Sequence, residues 1–255
     1  MSTFLLPMAD GGLKIDWAKM PTYNTIMAVA VGAGLIGLVL LGRELLHAPQ
    51  EVSTDGWGLA FGALGLILFV TGLHMTLTWP LAAGGFPFDN IIFGETSLAF
   101  GVLLLASAVY LWRRGHLITE VTTDAQGRVT NPVRTIARAA WPISIFVAGI
   151  GLGLFGIAAA GVRYQLFAAP PQEPISGAFA DYPIVEAIFM SGLIALVGLG
   201  AVLFPFAVRA LATPDRGRTV LVPVIGWVWG IAGVVLGLFG ALNYFTHIGL
   251  IINTM

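Results

Sequence analysis

The side chains that could perform chemistry in this sequence are the few polar and ionisable groups that lie inside long apolar segments. They are His74, Glu95, Arg163, Glu186, His247 and the amide of Asn243. A charged group at the centre of a bilayer costs about 2.5–3.5 kcal/mol on insertion scales, so such groups usually pair with each other or line a polar cavity. We therefore expect these side chains to meet in one polar pocket, centred on His74 and Glu95.

Two of these residues, His74 and His247, could bind a cofactor. A haem b needs two imidazoles from separate helices. A copper or zinc ion could instead take both histidines together with Glu95 or Glu186. In a third interpretation, His74 and Glu95 titrate along the path of a small-solute or ion carrier. The chain has no cysteine, which excludes disulfides, thiolate metal sites and iron–sulfur clusters.

Each ionisable group also has a purely structural interpretation. His74 could donate a hydrogen bond to a carbonyl group of a neighbouring helix, and His247 could lie in interfacial water above the hydrocarbon. Arg163 could form a salt bridge with Glu95 or Glu186. Glu186 could be only the acidic first turn of a helix. The sequence leaves these alternatives open.

The composition places this chain in a lipid bilayer. Of its 255 residues, 57% are hydrophobic and only 10% are charged, whereas ordinary soluble domains carry about 25% charged residues. The net charge of −1 offers no basic surface for nucleic acid. We therefore expect a multi-pass membrane protein with no nucleic-acid partner.

Six apolar segments are long enough to cross about 30 Å of hydrocarbon at 1.5 Å per residue. They lie near residues 24–42, 57–80, 91–112, 141–167, 184–210 and 220–252. We predict an all-α polytopic membrane protein, with a six-helix bundle that forms a single membrane domain over residues 1–255. Small residues spaced four apart, as at Gly58 and Gly62 or at Gly149 and Gly153, are expected to let helices approach closely.

The distribution of Lys and Arg predicts the orientation of the bundle. Of the twelve such residues, all but Lys14, Lys19 and Arg163 lie in or beside the loops after spans one, three and five. Because cytoplasmic loops keep their basic residues, we predict that both termini are outside the cell. In this orientation the proposed pocket lies near the outer face.

The longest connection between spans, residues 115–140, is expected to fold on the cytoplasmic side. Residues 117–123 and 128–130 favour β-structure and flank a turn composition at 124–127, which predicts a small β-hairpin. Pro132, after a capping Asn131, then begins an amphipathic interfacial helix that leads into span four.

The three spans that run outward share a Leu-Gly-Leu pattern at residues 64–66, 152–154 and 236–238. An ionisable residue follows the first Leu of each by ten or eleven positions, at His74, Arg163 and His247. The pattern indicates either a threefold repeat of helical hairpins or a coincidence in a chain rich in Leu and Gly.

The sequence has no Walker loop, G-x-S-x-G, H-E-x-x-H or dinucleotide-binding motif, so we do not expect an enzyme as an isolated chain. We favour an accessory or structural subunit of a larger membrane complex, whose partners are other membrane subunits or further copies of the chain. A haem- or metal-binding redox subunit and a small-solute or ion carrier are the alternatives.

Residues 71–81, Asn90 and residues 93–101 resemble the signature of an uncharacterised family of prokaryotic membrane proteins, domain of unknown function 981. The positions that carry the pattern include His74, Trp79, Pro80 and Glu95. The resemblance implies a multi-pass protein of a prokaryotic plasma membrane, and it implies no activity.

Overall fold

All regular elements that the structure describes are helices. The computed structural model describes residues 22–78, 88–119, 131–213 and 219–255. The seven α-helices in these ranges are α1 (Asn24–His47), α2 (Thr54–Leu77), α3 (Thr96–Arg114), α4 (His116–Thr119), α5 (Pro132–Tyr164), α6 (Pro183–Ala212) and α7 (Leu221–Thr254). All but the short α4 belong to segments long and apolar enough to cross a membrane. The prediction of an all-α fold with six apolar spans is confirmed for this part of the chain.

The prediction of a β-hairpin after the third span is wrong for the part of that segment that the structure describes. Residues 117–119 belong to helix α4, and the amide of Ile118 donates to the carbonyl oxygen of Gly115 at 2.9 Å. A helical turn directs the Ile118 side chain into the core formed by α1, α2 and α3, so burial decides against the local β preference. The other hairpin residues, 120–130, lie outside the described residues.

Helix α5 begins where the sequence predicts. Pro132 occupies its first turn, and the side chain of Asn131 accepts a hydrogen bond from the amide of Arg134 at 3.2 Å. The side-chain cap satisfies an amide that has no partner inside the helix. The helix continues without a break from this turn to Tyr164, so the expected amphipathic segment and span four form one element.

The bundle is built from three antiparallel helix pairs, α2 with α3, α5 with α6, and α7 with α1. Smaller contacts join α6 to α7 and α1 to α2. Each pair combines one helix that carries the Leu-Gly-Leu pattern with one that runs the opposite way. The packing positions are not equivalent, because Gly65 and Gly237 contact the partner helix whereas Gly153 faces open space.

Glycine lets the backbones of each pair come into direct contact. A Cβ atom added at Gly151 of α5 would lie 2.8 Å from the carbonyl oxygen of Gly198 in α6. One added at Gly65 of α2 would lie 2.9 Å from the amide nitrogen of Leu105 in α3. One added at Gly32 of α1 would lie 2.6 Å from the carbonyl oxygen of Gly233 in α7. A larger side chain at these positions would separate the helices.

Other glycines that are spaced four residues from a small residue have no such neighbour among the described residues. An added Cβ would meet no atom of the described chain within 4 Å at Gly149, Gly153 and Gly156 of α5, or at Gly226 and Gly230 of α7. A four-residue spacing of small residues therefore predicts a helix face that permits close packing. It does not show whether that face packs against another helix of the same chain.

Replacing a glycine at a helix contact is expected to destabilise the bundle. Gly198→Leu places a side chain against the backbone of α5, and overpacking of this kind typically costs about 1–3 kcal/mol. Gly192→Leu, on the same helix, serves as the control, because no atom of the described residues lies within 4 Å of a Cβ added there. We expect a clearly lower unfolding temperature in detergent for the first variant only. Equal unfolding temperatures for the two variants would contradict this packing.

Candidate functional site

A cavity of about 430 Å³ lies inside the bundle. Its walls come from α1, α3, α5, α6 and α7 and from the connection of residues 165–182, whereas no residue of α2 lines it. Within the described ranges, α3 makes at most marginal contact with α5 and α6. The cavity therefore separates the α2–α3 pair from the α5–α6 pair, with the α1–α7 pair behind it.

Most of the cavity wall is apolar. Helix α5 contributes residues that recur every three or four positions and so share one face: Ile143, Val147, Ile150, Leu154 and Ile157. Helix α6 presents a similar stripe from Met190 to Phe204. On α5 the lining extends from Ala140 to Ile157, which is about 25 Å at 1.5 Å per residue. The cavity is a long apolar crevice rather than a compact polar pocket.

One end of the cavity is polar. The side chains that line it there are Asn24, Asp89, Glu173, Glu186, Asn243 and His247. They come from the start of α1, the residue before the turn into α3, the connection between α5 and α6, the start of α6 and the last third of α7. Because neighbouring spans run in opposite directions, these positions share one end of the bundle, which we call the polar end.

The charged groups of the polar end are mostly acidic. Three carboxyl groups and one imidazole line the cavity, and no Lys or Arg does so in the described ranges. His247 Nε2 lies 3.8 Å from Glu173 Oε1, and the two side chains are only 17% and 10% exposed. Glu186 Oε2 accepts a hydrogen bond from the amide of Ala169 at 2.5 Å. Within the described ranges, the site therefore has more acidic side chains than basic ones.

Burial makes the carboxyl groups of the connecting segments hold their protons more tightly. It raises the pKa of Asp89 to about 7 and also raises the pKa of Glu173 above its ordinary value. Removing a carboxylate from water disfavours its charged form when no cation compensates. Near neutral pH, Asp89 is thus close to the midpoint of its titration.

Several buried polar groups of the cavity have no hydrogen-bond partner among the described residues. The Asn243 side chain lines the cavity, is 7% exposed and forms no hydrogen bond there. The Oδ1 atom of Asn24 and the Nδ1 atom of His247 are also buried and unpaired within this part of the chain. Such groups are uncommon in folded proteins, so each of them indicates a missing partner.

A π-helical turn positions Asp89. The turn covers Asn90–Glu95 and leads into α3, and turns of this kind occur often at functional sites. The side-chain amide of Asn90 donates to the carbonyl oxygens of Met75 and, at 2.9 Å, Thr78. These bonds fasten the turn to the end of α2. Asp89, directly before the turn, is thereby held at the cavity.

The connection between α5 and α6 is also fastened to the polar end. Ile175 has a positive φ of 69° at the centre of a γ-turn, in which the Ser176 amide donates to the Pro174 carbonyl oxygen at 2.8 Å. This conformation is strained for a β-branched residue. The Asn253 side chain donates to the carbonyl oxygen of Gln172 at 2.8 Å and so holds the connection against the end of α7. Glu173 lies between the tight turn and this bond, and together they position its carboxyl group beside α7.

The structure brings together three of the six residues expected in the pocket. Glu186, Asn243 and His247 all line the cavity at the polar end. Asp89 and Glu173 join them, although neither was among the expected site residues. A sequence signal existed for Asp89, which directly precedes an apolar span. No such signal exists for Glu173, which lies beside α7 only because the connection folds back.

His74, Glu95 and Arg163 do not line the cavity. His74 is exposed at the end of α2, and its Nδ1 atom lies 2.8 Å from the hydroxyl of Tyr23. Glu95 is exposed. The guanidinium of Arg163 lies over the ring of Tyr164 at 5.5 Å. The polar end of the cavity therefore includes Glu173 and His247 but neither His74 nor Glu95. Helix α2, which carries His74, packs behind α3, and Glu95 is exposed outside the cavity.

The ligand set expected for a metal is not assembled. No group of three or more His, Asp or Glu side chains that could hold a metal ion occurs in the described ranges. His74 bonds to Tyr23 outside the cavity while His247 faces Glu173 inside it. The geometry thus offers no support for a metal site made of His74, His247 and Glu95, or for a haem held by the two histidines.

The stability of the protein is expected to fall as pH rises from about 4 to about 7. An unfolded Asp has a pKa of about 3.9, so between these values the folded state binds a proton at Asp89 that the unfolded state has lost. Above about pH 7 this contribution becomes constant.

Asp89→Asn should remove part of this pH dependence, because the side chain of Asn is neutral at every pH. Stability should still fall with rising pH in this variant, although less steeply, because the pKa of Glu173 is also raised. Unfolding temperatures in detergent across this interval provide the test. If the unfolding temperatures of the wild type and of Asp89→Asn depend on pH in the same way, Asp89 is not buried as described.

Comparison with known proteins identifies the family of this chain but no characterised relative. No curated protein and no solved structure shows significant similarity to it. A family model described as "Protein of unknown function (DUF981)" matches residues 20–249, which is most of the chain. The resemblance seen at residues 71–101 thus extends over nearly the whole sequence, and the chain belongs to the DUF981 family.

Proposed function

We propose that this protein binds one amphipathic molecule of the bilayer, with the molecule's apolar chain in the crevice and its head group at the polar end. The observation that carries the proposal is the division of a single cavity into a long apolar part and a short polar part. This division matches the two parts of an amphipath.

The size and wall of the cavity support this type of ligand. Its volume of about 430 Å³ falls within the range of about 300–1,000 Å³ that is usual for small-molecule sites. A small polar solute or ion would leave most of the apolar wall unoccupied, and along that wall it would lose its hydration without replacement. We therefore favour an amphipath over the substrates of a small-solute or ion carrier.

The gap between helix pairs provides a route for entry from the side. Because α3 barely contacts α5 and α6 in the described ranges, a chain lying in the bilayer can pass between them without crossing water. Phe93 of the turn before α3 and Phe167 of the connection bring their rings to 6.4 Å near the polar end. Between this contact and the opposite end of the bundle, the α2–α3 pair and the α5–α6 pair remain apart.

We place the protein in a prokaryotic plasma membrane with the polar end towards the outside. Six of the seven described Lys and Arg residues lie at the opposite end of the bundle: Arg43, Arg113, Arg114, Arg134, Arg138 and Arg209. The exception is Arg163, at the end of α5. Retention of basic residues on the cytoplasmic side favours this orientation. The head group would then lie near the outer leaflet.

Filling the crevice is expected to abolish binding. Leu154→Trp adds bulk to the cavity wall, whereas Leu152→Trp, two residues away on the same helix, changes a side chain that is 64% exposed. Mass spectrometry of molecules extracted from the purified proteins is expected to find one amphipath per chain in the wild type and in Leu152→Trp, and a strong loss in Leu154→Trp. Equal retention by both variants would refute the proposed location.

A second candidate function, an accessory subunit of a larger membrane assembly, is favoured by one surface. Gly149, Gly153 and Gly156 lie on one exposed face of α5 and meet no atom of the described chain. Small residues let an apolar helix of another membrane subunit approach closely. This face is separate from the stripe that lines the cavity.

Gly153→Leu tests the accessory function. The change should leave the unfolding temperature of the isolated chain nearly unaltered, because an added side chain meets open space there. It should reduce the share of the protein that migrates as a larger assembly after mild extraction from its native membrane. Recovery of the wild-type protein only as a lone monomer would dismiss this candidate.

A further inference from the structure

We propose that the head group bound at the polar end is a cation with N–H donors, such as a primary ammonium on a long alkyl chain. This inference rests on the proposed function, since it assumes that an amphipath occupies the crevice. It adds the chemical class of the ligand, which neither the family nor the fold assigns.

The charges that face the site favour a cation. Carboxyl groups approach the cavity from three separate elements, at Asp89 before α3, at Glu173 in the connection and at Glu186 in α6. The imidazole of His247 on α7 is the one further titratable group there, and in the described ranges α1 and α5 contribute no charged side chain to the cavity. Buried carboxylates are stable only when they are paired with a cation or protonated.

The hydrogen-bonding groups at the polar end include acceptors that need donors. The Oδ1 atom of Asn24 is a buried acceptor without a partner within the described part of the chain, and the amide of Asn243 lines the cavity without a hydrogen bond there. The carboxylate of Glu173 is an acceptor as well. A primary ammonium carries three donors and no acceptor, so it complements this set.

Other head groups complement the site less well. A carboxylate or phosphate head would place a negative charge beside three acidic side chains, and no Lys or Arg of the described ranges lines the cavity to offset it. A hydroxyl head could donate one hydrogen bond but would leave the carboxylates without a counter-charge. Charge-assisted hydrogen bonds to carboxylates are about twice as strong as neutral ones.

Proton binding to the empty site agrees with this assignment. Without a cation, burial keeps Asp89 partly protonated near neutral pH, and a bound ammonium would replace that proton. An alkylammonium has a pKa near that of Lys, about 10.4, and stays charged from about pH 6 to about pH 8. Its affinity should therefore rise with pH across this interval and level off at higher pH.

Spin-labelled amphiphiles that share one chain and differ only in head group provide the test. The full-length protein is placed in phosphatidylcholine vesicles with octadecylamine, octadecanol or octadecanoate, each bearing a nitroxide on its chain. Electron paramagnetic resonance measures the immobilised fraction of each probe. We expect a saturable site for one amine per chain, with an affinity about tenfold or more above those of the alcohol and the carboxylate.

Charge-neutral variants locate the head group. Glu173→Gln, which keeps the size of the side chain, should weaken binding of the amine about tenfold while leaving that of the alcohol nearly unchanged. Glu186→Gln should act in the same direction. Glu95→Gln is the matched control, since Glu95 lies at the same end of the bundle but is exposed and outside the cavity. Retained binding of the alcohol shows that each variant is folded.

The outcomes separate this inference from the proposed function. If the alcohol or the carboxylate binds as tightly as the amine in a saturable site that Leu154→Trp removes, the cation assignment is wrong and the amphipath site survives. Unchanged affinity for the amine in both Glu173→Gln and Glu186→Gln would likewise overturn the assignment. If no probe shows a saturable site, the proposed function itself fails.

Discussion

Direct backbone contact at glycine is the interaction on which the rest of this bundle depends. Helices in a bilayer gain little from burying apolar surface against each other, so they associate where their backbones can approach closely. Here such contacts join α1 to α7, α2 to α3 and α5 to α6, at glycines such as Gly32, Gly65 and Gly151. Each pair is a compact unit, and the arrangement of the three pairs determines what lies between them.

The cavity follows from where these contacts are absent. Between α3 and the α5–α6 pair, the cavity is lined by larger side chains such as Phe100, Ile150 and Ile194, and no glycine of the described ranges lines it. The space between the pairs is therefore apolar over most of its length. It becomes polar only where the residue before the α3 turn and the connection between α5 and α6 bring Asp89 and Glu173 to the end of the bundle.

The sequence allowed most of the fold and half of the candidate site to be predicted. Hydropathy and length indicate the six spans because a bilayer imposes both. The alternation of spans places Glu186, Asn243 and His247 at one end. His74 occupies a corresponding depth on another span, yet it lies outside the cavity because α2 packs behind α3, and neither spacing nor hydropathy shows which helix is peripheral. Glu173 was missed because its position depends on a strained turn in an irregular connection.

A structure of the protein determined by electron microscopy in lipid nanodiscs would show whether the crevice exists and is occupied. We predict that α3 remains separated from α5 and α6, and that elongated density occupies the space between them and ends beside Glu173 and His247. Close packing of α3 against α5 and α6, with no space for a chain, would contradict this prediction.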